Sequence, residues 1–388
     1  MIYLDNNATT AIDPAVIDAM LRCFEGGPMN PSSQHAVGRD ARNRLDEASS
    51  LIGRLLHADT DSPDGDQLIV TSGGSESNNL ALQCLGDPSL PLVVSAIEHP
   101  SVMAVASFAQ SLGREVRVIP VTSQGVIDLD AARSLLETRP YPGLVSVMTA
   151  NNETGVIQPV QSLAILCERR GVPFHMDATQ SVGRVPFDFR ASHAAAVTFT
   201  AHKFHGPVGV GGLLLRSGVH LAPMLRGGEQ QLGKRAGTEP VALVVGMATA
   251  LELSIPNVDA NAIELQRLRA MFESGLSAVI AEATFFGQQA QRLPGTSCFS
   301  LPGADRQAML MALDLAGVAC SSGSACASGS SRPSHVLAAM GVMGEHLDAA
   351  LRVGLSKFST AQEVEAATDT ICRQYMRLRR SKTVEKSL

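Results

Sequence analysis

Two short polar segments, each directly after a run of apolar residues, carry the side chains best suited to chemistry. Residues 175–180 read HMDATQ, and residues 200–207 read TAHKFHGP, which places Lys203 just past a predicted strand. A lysine there can form a Schiff base, and Asp177 on the preceding strand can keep a pyridine nitrogen protonated. Together they indicate a pyridoxal phosphate site, although either segment alone is also typical of a solvated loop or a helix cap.

A glycine-containing loop offers a place for the phosphate group. Residues 71–77 read TSGGSES and join a predicted strand to a predicted helix. Backbone amides and hydroxyls at a helix N-terminus favour an anion, so Gly74 and Ser75 are candidate phosphate ligands. The same residues would also suit an ordinary turn followed by a helix cap.

Three further polar residues follow predicted strands or lie near their ends. His99 could stack on the pyridine ring, Asn152 could donate to a cofactor oxygen or a substrate carboxylate, and Arg352 could bind an α-carboxylate. Each has a structural alternative: a strand-end histidine, an Asx-rich turn, or a surface ion pair of little energetic weight.

Cys326 differs from most other cysteines of the chain in its surroundings. It lies in a loop of small residues, 319–331, whereas Cys23, Cys84 and Cys372 lie in apolar segments. A thiol with little apolar surface around it should be accessible and able to ionise. We therefore predict that this loop can move and that Cys326 is a nucleophile.

The elements that must position these residues alternate between short apolar runs and helical periodicity. The predicted strands are 67–71, 92–96, 116–120, 144–149, 172–177, 196–200 and 210–215, and the predicted helices between them include 75–86, 101–112, 128–137 and 160–170. This pattern predicts an α/β fold with a mostly parallel sheet sandwiched by helices. Ligands bind beyond the carboxyl ends of such strands, where the polar clusters lie.

Length and composition limit the possible domain organisation, partners and location of the protein. A chain of 388 residues with 45% hydrophobic content can bury a large core, and the pattern changes near residue 257. We expect a large domain over 15–257 and a smaller α+β domain over 1–14 and 258–388. The net charge of −6 without a basic stripe argues against nucleic acid. With no apolar stretch near 20 residues and no signal peptide at the start, we expect a cytoplasmic protein without a membrane partner.

The cysteines and histidines give no sign of a disulfide framework or a metal site. Seven cysteines are scattered through a long chain, so at least one thiol stays free. The separation of Cys320 from Cys326 is too wide for a zinc knuckle, and no finger-like pair follows. We therefore predict no metal.

As a set, the motifs resemble those of the cysteine desulfurases of the NifS/IscS type, within the class V aminotransferases and the fold-type I pyridoxal phosphate enzymes. The resemblance runs nearly end to end and covers 3–10 (YLDNNATT), 71–77, 98–101 (EHPS), 151–155 (NNETG), 175–180, 202–203, 235–238 (RAGT) and the Cys326 loop. It implies a homodimer that converts L-cysteine to L-alanine and passes sulfur as a persulfide to an acceptor such as an iron–sulfur scaffold.

The resemblance also implies roles for individual residues. Lys203 would carry the cofactor, Asp177 would pair with the ring nitrogen, Gln180 would bond the ring hydroxyl, and His99 would stack on the ring and take part in catalysis. The implied phosphate ligands are Gly74, Ser75, Thr200 and His202, with Thr238 reaching in from the partner subunit. The implied substrate ligands are Asn7, Asn152 and Arg352, and Cys326 would accept the sulfur.

The chain departs from the family pattern at a few positions. Gly74-Ser75 replaces the usual Ala-Thr but keeps a hydroxyl, while Val208, Gln231 and Pro240 replace a lysine, a glutamate and an asparagine. These changes affect loop conformation and the dimer contact rather than a proposed reacting atom. Cys320 is an additional thiol that could resolve a persulfide or simply be buried.

Three other functions fit parts of the pattern. A selenocysteine lyase or cysteine sulfinate desulfinase would use the same cofactor residues but would depend less on Cys326. A class V aminotransferase would leave the cysteine loop without a role. A non-catalytic scaffold for iron–sulfur assembly would tolerate loss of Lys203.

Overall fold

The structure, a computed structural model, describes residues 1–322 and 333–385, with side chains described through residue 379. The predicted nucleophile, Cys326, lies outside the described residues. The strands are β1 (Ile2–Tyr3), β2 (Gln67–Thr71), β3 (Leu92–Ser95), β4 (Val116–Ile119), β5 (Leu144–Met148), β6 (Phe174–Asp177), β7 (Ala196–Thr200), β8 (Gly211–Leu215), β9 (Thr284–Phe285), β10 (Thr296–Ser300), β11 (Val318–Ala319) and β12 (Ala350–Gly354).

The helices alternate with the strands of the first half and dominate the second. They are α1 (Pro14–Glu25), α2 (Ala36–Leu55), α3 (Gly74–Cys84), α4 (Pro100–Ser111), α5 (Leu129–Glu137), α6 (Val160–Arg170), α7 (Val241–Ser254), α8 (Val258–Val279), α9 (Arg306–Leu315), α10 (His335–Ala339), α11 (Glu345–Asp348) and α12 (Ala361–Glu385).

A seven-stranded sheet forms the centre, in the order β2-β8-β7-β6-β5-β3-β4. Strand β8 runs antiparallel to both neighbours, and the other pairings are parallel. The predicted α/β fold with a mostly parallel sheet is confirmed. All seven predicted strands form, and the largest boundary error is at β6, which begins at Phe174 because Pro173 has no N–H to donate to a sheet.

Several helices that the sequence pattern did not reveal pack beside this sheet. Helices α1 and α2 both pack against α7. No element was predicted over 241–254, because α7 is a largely apolar and largely buried helix without a clear amphipathic period.

One stretch, residues 241–279, is long and apolar enough by composition to cross a membrane, contrary to the expectation that none existed. It comprises α7 and α8, interrupted at Pro256, and 56% of its most apolar window is buried inside the protein. The side chains of Val244, Met247 and Leu251 belong to the core beside the sheet. This burial accounts for their apolar character.

Separate groups of buried side chains support the sheet and the C-terminal half. Val145, Val197 and Phe199 lie in the cluster around the sheet. Leu4 and Tyr375 lie in another cluster, with residues of α8, α9, β10, β12 and α12. Strand β12 pairs with β10, and β10 with β9, in a separate antiparallel sheet. The division into domains at residue 257 stays a prediction.

Candidate active site

A cavity of about 290 Å³ opens where the carboxyl ends of the parallel strands meet the N-terminal segment. Its lining includes, from the predicted site, Asn7, Gly74, Ser75, His99, Asn152, Asp177, Gln180, Thr200, His202, Lys203 and Arg352. Their positions follow from topology, because loops after parallel strands meet at one edge of the sheet. The fold therefore brings together nearly all the predicted residues that it describes.

Lys203 lies at the end of a short 3₁₀ turn directly after β7. Its Nζ donates to the carbonyl oxygens of Asn7 and Ala8 over 2.5 and 2.7 Å. Burial, with help from the nearby cations Arg352 and Arg184, lowers the pKa of Lys203 to about 7. An amine with that pKa is largely uncharged just above neutral pH, as Schiff-base formation requires.

Asp177, the last residue of β6, is a fixed and nearly buried carboxylate. Its Oδ2 accepts from Asn78 Nδ2 over 2.8 Å, and its Oδ1 accepts from the backbone N–H of Thr179 over 3.0 Å. Asn78 also donates to Ser101 Oγ over 2.9 Å, which ties α3 to α4. The carboxylate is thus held by neutral donors and can pair with a protonated ring nitrogen.

The start of α3 fits a phosphate group. Gly73 precedes the helix without a side-chain cap, so the first amides of α3 have no cap to satisfy them. A Cβ on Gly74 would come within 3.1 Å of Thr179 Oγ1, a buried hydroxyl with no partner among the described residues. Open amides, an unpaired hydroxyl and this close approach together suit the phosphate of pyridoxal phosphate.

Two other predicted phosphate ligands already have protein partners. Thr200 Oγ1 donates to the carbonyl oxygen of Val210 over 3.0 Å. Its hydroxyl proton is therefore used, and only the lone pairs of the hydroxyl oxygen and the backbone of Thr200 remain for other groups. His202 Nδ1 lies 3.2 Å from Thr9 Oγ1, and burial, with the charge of Lys203, lowers its pKa to about 4. His202 is therefore neutral at physiological pH and would contact a phosphate through a hydrogen bond.

His99 immediately precedes α4 and caps the helix with its own ring. Its Nδ1 accepts from the backbone N–H of Ser101 over 3.1 Å and lies 2.8 Å from Ser101 Oγ. Burial, more than any neighbouring charge, lowers the pKa of His99. The ring is thus neutral and fixed at the edge of the cavity.

Gln180 and Asn7 are bound to each other and to Arg184. Gln180 Nε2 donates to the carbonyl oxygen of Asn7 over 3.0 Å, and Arg184 donates to Gln180 Oε1 and, over 3.1 Å, to Asn7 Oδ1. The Asn7 amide also donates to Asn152 O and Thr296 Oγ1. With its side chain so engaged, Asn7 presents its carbonyl to Lys203, and its predicted contact with substrate stays untested.

Arg352 extends from β12 into the cavity and is almost wholly buried. Its Nη2 donates to Asp5 Oδ1 over 2.7 Å and its Nη1 to the carbonyl oxygen of Asn152 over 2.9 Å. Its Nε is buried without a partner among the described residues. A buried guanidinium with a donor to spare is suited to a substrate carboxylate.

Two predicted residues are not seen in the cavity. Thr238 is exposed and away from the cavity lining of its own chain. Cys326 falls in the undescribed part of the chain. Cys320, the additional thiol, is largely enclosed, and burial raises its pKa to about 12, so it stays protonated and unreactive.

Sequence reasoning missed several side chains of the site. Asn78, Thr179, Arg184, Glu153 and His335 were not predicted, although all except Arg184 line the cavity. Asn78 stands one helical turn after Gly74, a spacing that could have revealed it. Glu153 and His335 meet only through tertiary structure, since Ser334 Oγ, next to His335, donates to Glu153 Oε2 over 2.5 Å.

A fold-type I sheet with a buried lysine, an aspartate and an uncapped helix at its carboxyl edge defines a pyridoxal phosphate enzyme. The family model for class V aminotransferases matches residues 2–367, so the chain belongs to that family, whose cofactor is pyridoxal phosphate. The predicted fold and cofactor are confirmed.

Within that family the chain belongs with the cysteine desulfurases of the NifS/IscS type. It is 41% identical to a cysteine desulfurase of Cereibacter sphaeroides over 374 residues, which are 95% of this chain and 94% of that protein. It is 38% identical to cysteine desulfurase NifS of Azotobacter vinelandii, covering 94% and 90%. A NifS-like protein of Rickettsia africae superposes with a TM-score of 0.88 at 32% identity, covering 97% and 99%.

Proposed function

We propose that this protein is a pyridoxal phosphate-dependent cysteine desulfurase that converts L-cysteine to L-alanine. The sulfur passes to Cys326 as a persulfide and then to an acceptor protein such as an iron–sulfur scaffold. The observation that carries the proposal is the convergence of Lys203, Asp177 and Arg352 on one cavity. The relatives support the choice of substrate, since those compared are cysteine desulfurases and one solved structural neighbour is SspA in complex with cysteine.

Substrate binding rests on Arg352. Its guanidinium lines the cavity and keeps N–H groups beyond the two that Asp5 and the Asn152 carbonyl accept, and these can donate to the α-carboxylate of L-cysteine. Because Asp5 and Asn152 hold the guanidinium in place before the substrate binds, less entropy is lost on binding. The substrate amine then lies on the side of Lys203, across the same cavity.

Proton movement at the substrate Cα rests on Lys203 and Asp177. When bound, pyridoxal phosphate acts as an electron sink, which requires a protonated ring nitrogen. Asp177 supplies the negative charge that keeps it so, and Asn78 and Thr179 prevent the carboxylate from turning away. Lys203 Nζ, with a pKa of about 7, can both remove and return the Cα proton near neutral pH.

Sulfur transfer requires a thiolate. Cys326 is assigned this role by its sequence surroundings and by the resemblance of its loop to that of the family. Its thiolate attacks the substrate sulfur, an S–S bond forms, and the C–S electron pair remains with the substrate carbon, which takes a proton to become the methyl group of alanine. Cys320 is a poor substitute because its thiol stays protonated.

A homodimer in the cytoplasm completes the proposal. Thr238 is exposed and lies three residues after Arg235, which an ion pair with Glu76 at 2.8 Å anchors to the first turn of α3. An exposed residue held next to the phosphate loop is well placed to enter the site of a second copy. The dimer rests on this argument and on the family resemblance, the acceptor rests on the resemblance, and the cytoplasmic location stays an expectation from the sequence.

Product analysis tests the proposal. Purified protein is given L-cysteine and a thiol reductant, and sulfide and alanine are measured together, with Lys203→Ala as the inactive control. Equal amounts of both products support a desulfurase. A keto acid without sulfide would identify an aminotransferase instead, and the absence of all three products would favour another substrate or a scaffold.

A further inference from the structure

The turn that follows β6 brings the guanidinium of Arg184 next to the side chain of Gln180. Gly183, between them, has a φ of +72°, and a Cβ there would come within 2.7 Å of Phe204 Cβ, so only glycine fits this turn. Arg184 does not line the active-site cavity. It lines a smaller cavity of about 40 Å³, which Lys203 also lines. Arg184 can therefore act on the site only through other residues.

The two partners of Gln180 determine which way its side-chain amide points. Arg184 Nη1 donates to Gln180 Oε1, and Gln180 Nε2 donates to the carbonyl oxygen of Asn7 over 3.0 Å. A guanidinium can only donate and a carbonyl can only accept, so both contacts require the same orientation of the amide. Nε2 keeps one more hydrogen, which no described residue accepts. Because Gln180 lines the cavity, this hydrogen is available to a ligand bound there.

Arg184 also holds the residue that accepts from Gln180. Its Nη2 donates to Asn7 Oδ1 over 3.1 Å. The carbonyl oxygen of Asn7 accepts from Lys203 Nζ over 2.5 Å as well as from Gln180, so both of its lone pairs are used. Asn7 has an independent anchor, because its Nδ2 donates to Thr296 Oγ1 over 3.0 Å. Loss of Arg184 should therefore release the Gln180 amide without releasing the N-terminal segment.

Arg184 is a cation without a carboxylate partner. Within the described part of the chain, its side chain bonds only to the two amide oxygens. Burial, with the charge of Arg352, lowers the pKa of Arg184 to about 10, so the guanidinium stays charged at neutral pH. The other charged groups that act on Lys203 are Arg352, Asp5 and Asp177. Burying a cation without a counter-ion costs free energy, so Arg184 is better explained by what it orients than by a gain in stability.

We propose that Arg184 is a positioning residue that fixes Gln180 as a hydrogen-bond donor to the ring hydroxyl oxygen of pyridoxal phosphate. The inference rests on the proposed function, in which Lys203 carries the cofactor. A donor on that oxygen stabilises its ionised form and makes the Schiff-base nitrogen less basic. Without Arg184, the oxygen of the Gln180 amide loses its donor, and the amide is no longer held in one orientation.

The test is a pH titration of the visible absorbance of the bound cofactor, without substrate. Arg184→Met should raise the midpoint by about 1 unit, since a hydrogen bond to a charged group corresponds to about 1–2 pKa units. Loss of the positive charge also raises the midpoint, so the same substitution is made in Gln180→Leu, where only the charge effect remains. We expect the shift in that background to be about half as large or less. The exposed Arg133→Met is the matched control and should titrate like the wild type.

The two shifts decide the question. A shift from Arg184→Met that is larger when Gln180 is present supports the proposal. Equal shifts in the two backgrounds would show that Arg184 acts only through its charge, and no shift in either would show that it does not act on the site. Both of these results would overturn the proposal.

A cofactor analogue makes the same comparison without changing Gln180. The wild type and Arg184→Met are loaded with a pyridoxal phosphate analogue that lacks the ring hydroxyl, and the shift should again be smaller than with the natural cofactor. An undiminished shift would contradict the proposal even where Gln180→Leu does not retain its cofactor. L-cysteine takes no part in these titrations, so a failure of the proposed function would show separately, as the absence of alanine in the product analysis.

Discussion

The amine of Lys203 donates to the carbonyl oxygen of Ala8 over 2.7 Å, although the two residues are 195 positions apart in the chain. The N-terminal segment therefore closes one wall of the cavity over the lysine. It is held there by backbone contacts, since Thr10 donates to the carbonyl oxygen of His202 through both its N–H and its hydroxyl over 2.9 Å. The enclosure that lowers the pKa of Lys203 thus depends on residues near the start of the sequence, far from Lys203 along the chain.

The lowered pKa of Lys203 predicts how fast the apoprotein takes up its cofactor. Only the uncharged amine is nucleophilic, so the rate of Schiff-base formation with added pyridoxal phosphate should rise with pH through a midpoint near 7. An unperturbed lysine would give a midpoint near 10.4. Stopped-flow absorbance after mixing apoprotein with pyridoxal phosphate measures it.

Arg184→Gln is the matched variant for that experiment. Arg184 is one of the cations that lower the pKa of Lys203, so its loss should move the midpoint to higher pH. Lys203→Arg keeps a positive charge but should form no Schiff base at any pH. A midpoint near 10 in the wild type would show that the amine is not enclosed as described.

Arg352→Gln should weaken the binding of L-cysteine more than it slows turnover. Hydrogen bonds to charged groups contribute about 1.5–3 kcal/mol, which corresponds to a rise in KM of about 10- to 150-fold. Steady-state kinetics with L-cysteine measure the effect. The comparison variant is Arg292→Gln, which breaks a partly buried ion pair with Glu273 away from the cavity. Equal KM values in the two variants would contradict the assignment of Arg352.

The buried carboxyl group of Glu98 should make the stability of the protein depend on pH. Its side chain is wholly buried, its Oε1 accepts from the backbone N–H of Met148 over 3.0 Å, and burial raises its pKa to about 8. Because the pKa of Glu98 is higher in the folded state than in the unfolded state, the folded protein keeps the carboxyl proton to higher pH. The contribution of this proton to the free energy of unfolding is complete below about pH 4.5. It is lost as the pH rises through about 8.

Glu98→Gln should remove that contribution, since glutamine keeps the shape and stays neutral. Between about pH 5 and 8, the free energy of unfolding of the wild type relative to the variant should fall by at most about 1.4 kcal/mol per pH unit. Denaturant unfolding of both proteins across this range measures the difference. Parallel curves for the two proteins would show that Glu98 ionises normally.

Much of the fold followed from the sequence because its strands are short apolar runs that end in polar clusters. The seven strands of the central sheet were predicted, and β2 and β7 were predicted to the residue. Helix α7 was not, because a helix buried on all sides lacks the period that distinguishes it from a buried strand. Burial of that kind is decided by packing partners distant in sequence.

The site was predictable where one residue's type and local surroundings were sufficient. Lys203 and Asp177 follow predicted strands, so parallel topology alone brings them to one edge. The pairing of Ser334 with Glu153 joins residues 181 positions apart and leaves no local signal. The same holds for His335, whose contact with Glu98 spans 237 positions. Such contacts become visible only in the folded chain.

Mass spectrometry of the protein after one exposure to L-cysteine without a reductant detects sulfur transfer to Cys326 directly. The peptide containing Cys326 should gain the mass of one sulfur atom in the wild type. Cys326→Ala should keep the cofactor absorbance and gain no sulfur, whereas Cys320→Ala should behave like the wild type. Sulfur on Cys320, or alanine formed at an undiminished rate by Cys326→Ala, would contradict transfer through Cys326.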